Sequence, residues 1–192
     1  MAHNDKRQQI MSVVEKVANS RRFHEVTLDE IAREAKVGKG TIYHYFKDKE
    51  DLFFQVATSG FDELCNLLQQ KVPNNISFSE KLLSICEHVS RFFSARHQLL
   101  QMMQTEAGLV YWRGGGIRQR WQDKRKVLVD TLADVFAEGV DAGVIRSDIP
   151  AEILATFLLG LLRTRARDLR DTPEDMKSYK LLVDLFMNGA GV

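Results

Sequence analysis

Apolar residues recur at helical spacing along almost the whole of this 192-residue chain, and this pattern decides the fold class. Near the N-terminus, positions i, i+3, i+4, i+7 and i+8 of one helical face are Ile10, Val13, Val14, Val17 and Ala18. No segment shows the apolar–polar alternation of a half-buried strand, and 3 prolines and 12 glycines are too few for a turn-rich β-sandwich. We therefore predict an all-α protein.

The same spacing, read together with helix caps and breakers, predicts about nine helices. Their expected bounds are 6–19, 28–35, 39–46, 48–71, 77–95, 97–107, 117–142, 151–170 and 173–188. We assign the first three helices to an N-terminal domain over 1–47, and the others to a larger C-terminal bundle over 48–192.

Several classes of protein are disfavoured by what the sequence contains. The longest apolar run, 153–162, has half of the roughly 20 residues that a membrane-spanning helix needs. Cys65 and Cys86 form no CxxC motif and the 5 histidines show no metal-ligand spacing, so we expect a reduced, cytoplasmic chain without a metal or other cofactor. A nucleophile elbow, a phosphate loop and an HExxH motif are all missing, which argues against an enzyme.

The segment 26–46 has the pattern of a helix-turn-helix. Thr27 and Glu30 form a capping box that opens a short helix, and a break at 36–38 separates this helix from a second one. In the second helix Ile42 and Phe46 face inward. The residues left on or near its outer faces are Lys39, Thr41, Tyr43, His44 and Tyr45. Because a short helix fits the major groove, we predict that this helix reads double-stranded DNA.

Positive charge is concentrated at the same helix. The whole chain has a net charge of +1, whereas 36–49 contains four lysines and one aspartate. Gly38 and Gly40 would let the backbone approach a phosphate at the start of the helix, where the amides and the helix dipole favour an anion. The alternative is a polar, solvated helix, but the cap, the break and the polar-aromatic helix agree in register and favour DNA binding.

At 27–32 the sequence TLDEIA, followed at 37–52 by VGKGTIYHYFKDKEDL, resembles the N-terminal signature of TetR-type transcriptional regulators. The resemblance covers about residues 8–56, and the rest of the chain matches the family only in its helical character and length. The resemblance implies a homodimeric all-α repressor with a small-molecule pocket in the C-terminal bundle.

The resemblance also implies a set of DNA contacts. The positions that match phosphate contacts are Thr27, Tyr45 and Lys49. The positions that match the start of the recognition helix, where the family approaches DNA, are Gly38, Lys39 and Gly40. The side chains placed to meet base edges or nearby phosphates are Thr41, Tyr43 and His44.

Two C-terminal helices are apolar over more of their surface than one core requires. The helix predicted over 117–142 has a broad apolar stripe, and the segment 153–162 is apolar around most of its circumference. Either the chain buries both sides of these helices in its own core, or a second subunit covers one side of them. The resemblance favours a four-helix interface built from these two helices of each subunit, which would suit a palindromic operator. The expected interface residues are Leu128, Leu132, Val135, Phe136, Phe157, Gly160 and Leu161.

Candidates for an effector pocket combine adaptable apolar surface with a few polar groups. They are Phe61, Cys65, His88, Phe92, Met102, Met103, Glu106 and Trp121, and ordinary core packing is the alternative for each.

Two basic clusters, at 113–126 and 163–170, are expected to be solvated faces or intersubunit ion pairs. Alternatively, one of them lines a pocket for an anionic effector such as an acyl-CoA or a carboxylate. A DNA-binding architectural or activator protein without an effector is the remaining alternative.

Overall fold

The computed structural model describes residues 2–18, 20–70, 76–97, 99, 116–169 and 171–191. Its α-helices are α1 (Ala2–Ala18), α2 (Leu28–Glu34), α3 (Lys39–Tyr45), α4 (Lys49–Ala57), α5 (Phe61–Gln70), α6 (Phe78–Ala95), α7 (Ile117–Asp141), α8 (Ala151–Arg167) and α9 (Tyr179–Ala190). Short 3-10 helices occupy Phe23–Glu25 and Glu174–Lys177. Since the described residues contain one isolated β-bridge and no strand, the predicted all-α class is confirmed. Within these ranges no helix has the length and apolar character needed to cross a bilayer.

The single helix predicted over 48–71 is wrong, because α4 and α5 are separate helices. Gly60, which lies between them, has a φ of 72°, a left-handed conformation that ends a helix and that glycine adopts without strain. Just before it, the Thr58 hydroxyl donates a hydrogen bond of 2.8 Å to the Phe54 carbonyl. Apolar residues continue on both sides of this break, so spacing alone did not reveal it. The helix predicted over 97–107 lies almost entirely outside the described residues.

The described residues form two compact units, and the first comprises those within 1–59 and 96–122. In this unit α1 packs against α2, α3 and α4. The fully buried residues at its centre include Ile10, Ile31, Ile42, Phe46, Leu52 and Phe53. Leu99 and Ile117, from much later in the chain, are buried in the same core. The helix-turn-helix is therefore completed by residues distant in sequence.

The second unit comprises the described residues within 60–95 and 123–192. Here α6 packs against α5, α8 and α9, and α8 packs against α9. The Phe136 ring lies 6.2 Å from the Phe78 ring and 5.5 Å from the Phe186 ring, between centroids. Gly139 on α7 allows this packing, because a Cβ there would lie 2.7 Å from the Phe78 ring.

Candidate nucleic-acid interface

The capping box predicted for α2 is present. The Thr27 hydroxyl accepts a hydrogen bond of 3.3 Å from the Glu30 amide, and the Glu30 carboxylate accepts one of 2.9 Å from the Thr27 amide. This amide hydrogen bond, with a further one from the Thr27 hydroxyl, lowers the pKa of Glu30. α2 thus begins at Leu28, as predicted, with Thr27 exposed at its start.

The turn between α2 and α3 depends on Lys36 rather than on Gly38. Lys36 has a φ of 52°, whereas Gly38 is extended, with a φ of −71°, and is the N-cap of α3. A Cβ on Gly38 would come no closer than 3.9 Å to a neighbouring atom, and one on Gly40 would have no neighbour within 4 Å. The chain's own packing therefore does not require either glycine, and the space beside them is open to an approaching backbone.

One face of α3 is sealed into the core and the other faces solvent. Ile42 and Phe46 are buried, as expected. Tyr43 leaves 52% of its surface exposed, a large fraction for an aromatic side chain on a packed helix. His44 is exposed as well, and its ring meets the half-buried Tyr45 edge-on at 5.0 Å. The exposed face of α3 is thus formed by Lys39, Gly40, Tyr43 and His44.

Lys39 forms an ion pair with a residue that the sequence analysis did not single out. Its ammonium lies 2.9 Å from both carboxylate oxygens of Asp29 on α2. The hydrogen bond and the charge of Asp29 raise the pKa of Lys39. Asp29 and Lys39 are ten residues apart and lie on different helices, so helical spacing in the sequence does not predict their contact. The contact follows from the geometry of the α2–α3 turn.

Lys49 braces the 3-10 helix Phe23–Glu25. Its ammonium donates a hydrogen bond to the Phe23 carbonyl and lies 4.1 Å from the centre of the Phe23 ring. Burial lowers the pKa of Lys49. An ammonium has three donors, so this contact is compatible with a phosphate contact as well, which stays a prediction.

A cluster of hydrogen bonds surrounds the buried Asp51 in the first turn of α4, and we call it the Asp51 network. Asp51 accepts hydrogen bonds from the Lys47 amide (3.1 Å), from Arg120 (2.8 Å) and from Gln55 (2.8 Å), whose amide oxygen accepts one from Arg7 (2.8 Å). Burial raises the pKa of Asp51, but these three hydrogen bonds together outweigh it and hold the pKa below its ordinary value of 3.8. Lys47 directly precedes Asp48, the N-cap of α4, so the network holds the connection between α3 and α4.

The predicted effector residues fall into three groups. Phe61 and Cys65 are buried in the second unit, where the Phe61 ring meets the half-buried Phe92 ring at 5.8 Å. His88 in the same unit uses Nδ1 to donate a hydrogen bond of 2.7 Å to the Ser84 carbonyl. Trp121 belongs to the first unit and packs edge-on against Phe54 at 5.4 Å. The remaining three lie outside the described residues: Met102, Met103 and Glu106.

The predicted dimer residues divide between core and surface. Those on α7 are buried within the chain's own core: Leu128, Leu132, Val135 and Phe136. On α8, by contrast, Phe157 is 60% exposed, Leu161 is exposed and Gly160 is partly exposed. We therefore correct the expected interface by removing the four α7 residues, because they have almost no surface left to offer a second chain.

Two exposed leucines that the sequence analysis missed lie on α9. Leu185 is 65% exposed and Leu181 is also exposed, while Leu182, Val183 and Phe186 face the core. Leu181 and Leu185 are four residues apart and so share a helical face. The sequence could have indicated this exposed face, because the i, i+4 spacing of Leu181 and Leu185 gives α9 a second apolar face beside the one that packs into the core.

Most described basic side chains of the two clusters have partners in the same chain. On α7, Lys124 pairs with Asp62 and Lys126 with Asp130, both at 2.6 Å. On α8, Arg165 donates to the Lys177 carbonyl at 2.5 Å and lies 3.7 Å from Glu174. These pairs lie within one chain, and the Lys126–Asp130 pair is largely exposed, as expected for a solvated face. The intersubunit pairs stay a prediction.

Known proteins resemble both the N-terminal segment and the whole chain. Residues 10–56 match the family described as bacterial regulatory proteins, tetR family. The fatty acid metabolism regulator protein of Bacillus subtilis (strain 168) is 25% identical over 155 residues, which are 80% of this chain and 78% of that protein.

Solved structures share the fold over almost the full length. A TetR-family regulator from Mesorhizobium loti aligns over 100% of both chains with a TM-score of 0.75 and 20% identity. FadR from Bacillus subtilis, solved in complex with stearoyl-CoA, aligns over 94% of this chain and 95% of its own, with a TM-score of 0.73 and 20% identity. Together with the capped helix-turn-helix, the match over 10–56 and these similarities support a TetR-type transcriptional regulator.

Proposed function

We propose that this regulator is a cytoplasmic, ligand-responsive repressor that binds a palindromic operator as a homodimer and is released by a small-molecule effector. The observation that carries the proposal is the division of α3 into a sealed inner face and an exposed polar-aromatic outer face. We assign DNA contact to the domain over 1–47 together with Lys49 at the start of α4, and effector binding and dimerisation to the domain over 48–192.

The proposed DNA contacts separate into two kinds. Base recognition is assigned to Thr41, Tyr43 and His44, because hydroxyl and imidazole groups can donate to and accept from base edges in the major groove. Positioning on phosphates is assigned to Thr27, Gly38, Lys39, Gly40, Tyr45 and Lys49. Rigid support comes from the buried core beneath α3 and from the Asp51 network.

The proposed dimer interface is the exposed apolar face of α8 and α9. Along α8, Ile153, Phe157 and Leu161 follow one another at i, i+4 and i+8, and all three are exposed. α8 packs against α9, which adds Leu181 and Leu185. No Cβ contact within 4 Å would form at Gly160, so a second chain has room to approach there. Large exposed apolar side chains that follow one another along one helix face, as on α8, mark an interaction site.

The proposed effector is a small molecule that binds in the second unit. Phe61, Cys65, His88 and Phe92 remain candidates for its lining, with the alternative of ordinary core packing. Acyl-CoA thioesters are the first class to test, since the structurally similar FadR was solved with stearoyl-CoA. A thermal-shift series with acyl-CoAs, free fatty acids and neutral lipophiles separates the alternatives. A regulator without an effector gives no shift with any of them.

Selection of bound duplexes from a random DNA pool tests the proposed function. We expect an enriched palindrome whose half-sites are about one helical turn apart, or a multiple of it, because a two-fold dimer presents two copies of α3. Recovery of an asymmetric site, or no enrichment at all, would contradict the proposed operator and dimer.

Tyr43→Ala is expected to weaken binding to the selected operator by at least about tenfold, since one good base contact is worth about 1–3 kcal/mol and the dimer has two half-sites. Because Tyr43 is largely exposed, the variant should keep the melting temperature and mass of the dimer. Fluorescence anisotropy on labelled operator measures the affinity. Tyr43→Phe is the matched control for the hydroxyl alone, and unchanged affinity in Tyr43→Ala would remove Tyr43 from the interface.

A further inference from the structure

The start of the recognition helix carries a cation in an electrostatically unfavourable position. Lys39 is the first residue of α3, where the helix dipole is positive, and the first turn of α3 contains no acidic residue. The compensating charge comes from another helix, since Asp29 lies in the first turn of α2. The α2–α3 turn brings these two first turns together across ten residues.

The pair has a defined geometry and is still accessible to solvent. The Lys39 ammonium is 2.9 Å from each Asp29 oxygen, so the carboxylate engages part of its three donors and restricts the direction of the others. The side chains of Lys39 and Asp29 are 50% and 69% exposed, respectively. Lys39 can therefore be reached by DNA while Asp29 holds it.

We propose that Asp29 is a positioning residue that fixes Lys39 for one acceptor on the cognate operator and withholds it from the phosphates of other DNA. This inference rests on the proposed DNA binding by α3. On a cognate site the ammonium keeps Asp29 and uses a remaining donor for DNA. On non-cognate DNA, where the register of α3 varies, Lys39 must leave Asp29 to reach a phosphate, and this loss lowers the affinity.

The effect is selective rather than large. Exposed ion pairs are weak, so release of Lys39 in Asp29→Asn is expected to raise the affinity for non-cognate DNA by about two- to fivefold. One added phosphate contact per subunit, and so two per dimer, steepens the dependence of log K on log salt by about 1.8. Affinity for the cognate site stays the same or falls, because the direction of the remaining donor is lost. The ratio of specific to non-specific binding therefore decreases.

The test compares four variants of the full chain with the wild type: Asp29→Asn, Glu34→Gln, Lys39→Gln, and Asp29→Asn with Lys39→Gln. Glu34→Gln is the matched control, since Glu34 is exposed at the other end of α2 and its removal changes the net charge equally. The probes are a random-sequence 40-base-pair duplex and the duplex selected by the wild type. Anisotropy is recorded between about 50 and 200 mM salt, with circular dichroism melting as a check of folding.

The proposal expects a gain in non-cognate affinity and a steeper salt slope in Asp29→Asn alone, and expects both to vanish in the Lys39→Gln background. If Asp29→Asn and Glu34→Gln raised the affinity for non-cognate DNA equally, the change in net charge alone would explain the effect, and the proposal would be overturned. A gain that persists in the double variant would overturn it as well. In either case a wild type that still selects a palindrome leaves the proposed function standing, whereas failure of the wild type to select any DNA removes both.

Discussion

Phe157→Glu is expected to convert the proposed dimer into a folded monomer. Phe157 is 60% exposed, so a glutamate at this position is solvated in the separate subunit and should leave the core of the second unit intact. In a two-fold dimer the substitution occurs twice. Burying one Phe is worth about 1.5–3 kcal/mol, so losing two such contacts weakens association by roughly 10²- to 10⁴-fold. Buried, unpaired carboxylates would add to that loss.

The mass of the particle, measured by light scattering at micromolar concentration, checks this expectation. Phe157→Leu is the matched control, because it retains an apolar side chain at the same place and should retain the dimer. Operator affinity should fall together with the mass, since a monomer meets one half-site only. A Phe157→Glu protein that remains a dimer would assign the interface to another surface.

The helix-turn-helix could be predicted from the sequence because its determinants are local. The capping box of Thr27 and Glu30 spans four residues, and the inward position of Ile42 and Phe46 follows from a spacing of four. Each of these two features extends over about one helical turn, so the positions of the residues in the sequence are enough to predict it. The same reasoning could not place the turn on Lys36, whose positive φ no sequence preference indicates.

The dimer face could be predicted only in part. An apolar stripe on a helix indicates that the stripe is buried, but not whether the same chain or a second subunit buries it. The stripe on α7 is covered by the chain's own core, which buries Leu132 and Phe136 completely. On α9 two apolar faces compete, and the structure turns Leu182 inward and leaves Leu185 outside. Contacts between residues far apart in the sequence, such as Arg120 and Asp51, produce no sequence pattern around either residue and so could not be predicted.

Asp51→Ala is expected to lower the free energy of unfolding by about 1–3 kcal/mol, because it removes a buried acceptor from three donors. The lower part of this range allows for Arg120, which is 40% exposed and can be solvated by water when the carboxylate is lost. Urea denaturation measures the change. Arg120→Ala and the double variant complete a cycle that isolates the pair, and additive effects would show that Asp51 and Arg120 are not coupled.

The pH dependence of the same network gives an independent result. Because the pKa of Asp51 is lowered in the folded chain, its carboxylate contributes stability above its ordinary value of 3.8, and this contribution is lost as the pH falls through the lower folded-state pKa. Asp51→Asn, which cannot ionise, should therefore be less stable than the wild type at neutral pH and approach it in acid. A difference that is constant from about pH 6 to pH 3 would contradict the assigned ionisation. Since Asp51 also binds the Lys47 amide in the connection between α3 and α4, Asp51→Asn should reduce operator affinity at neutral pH.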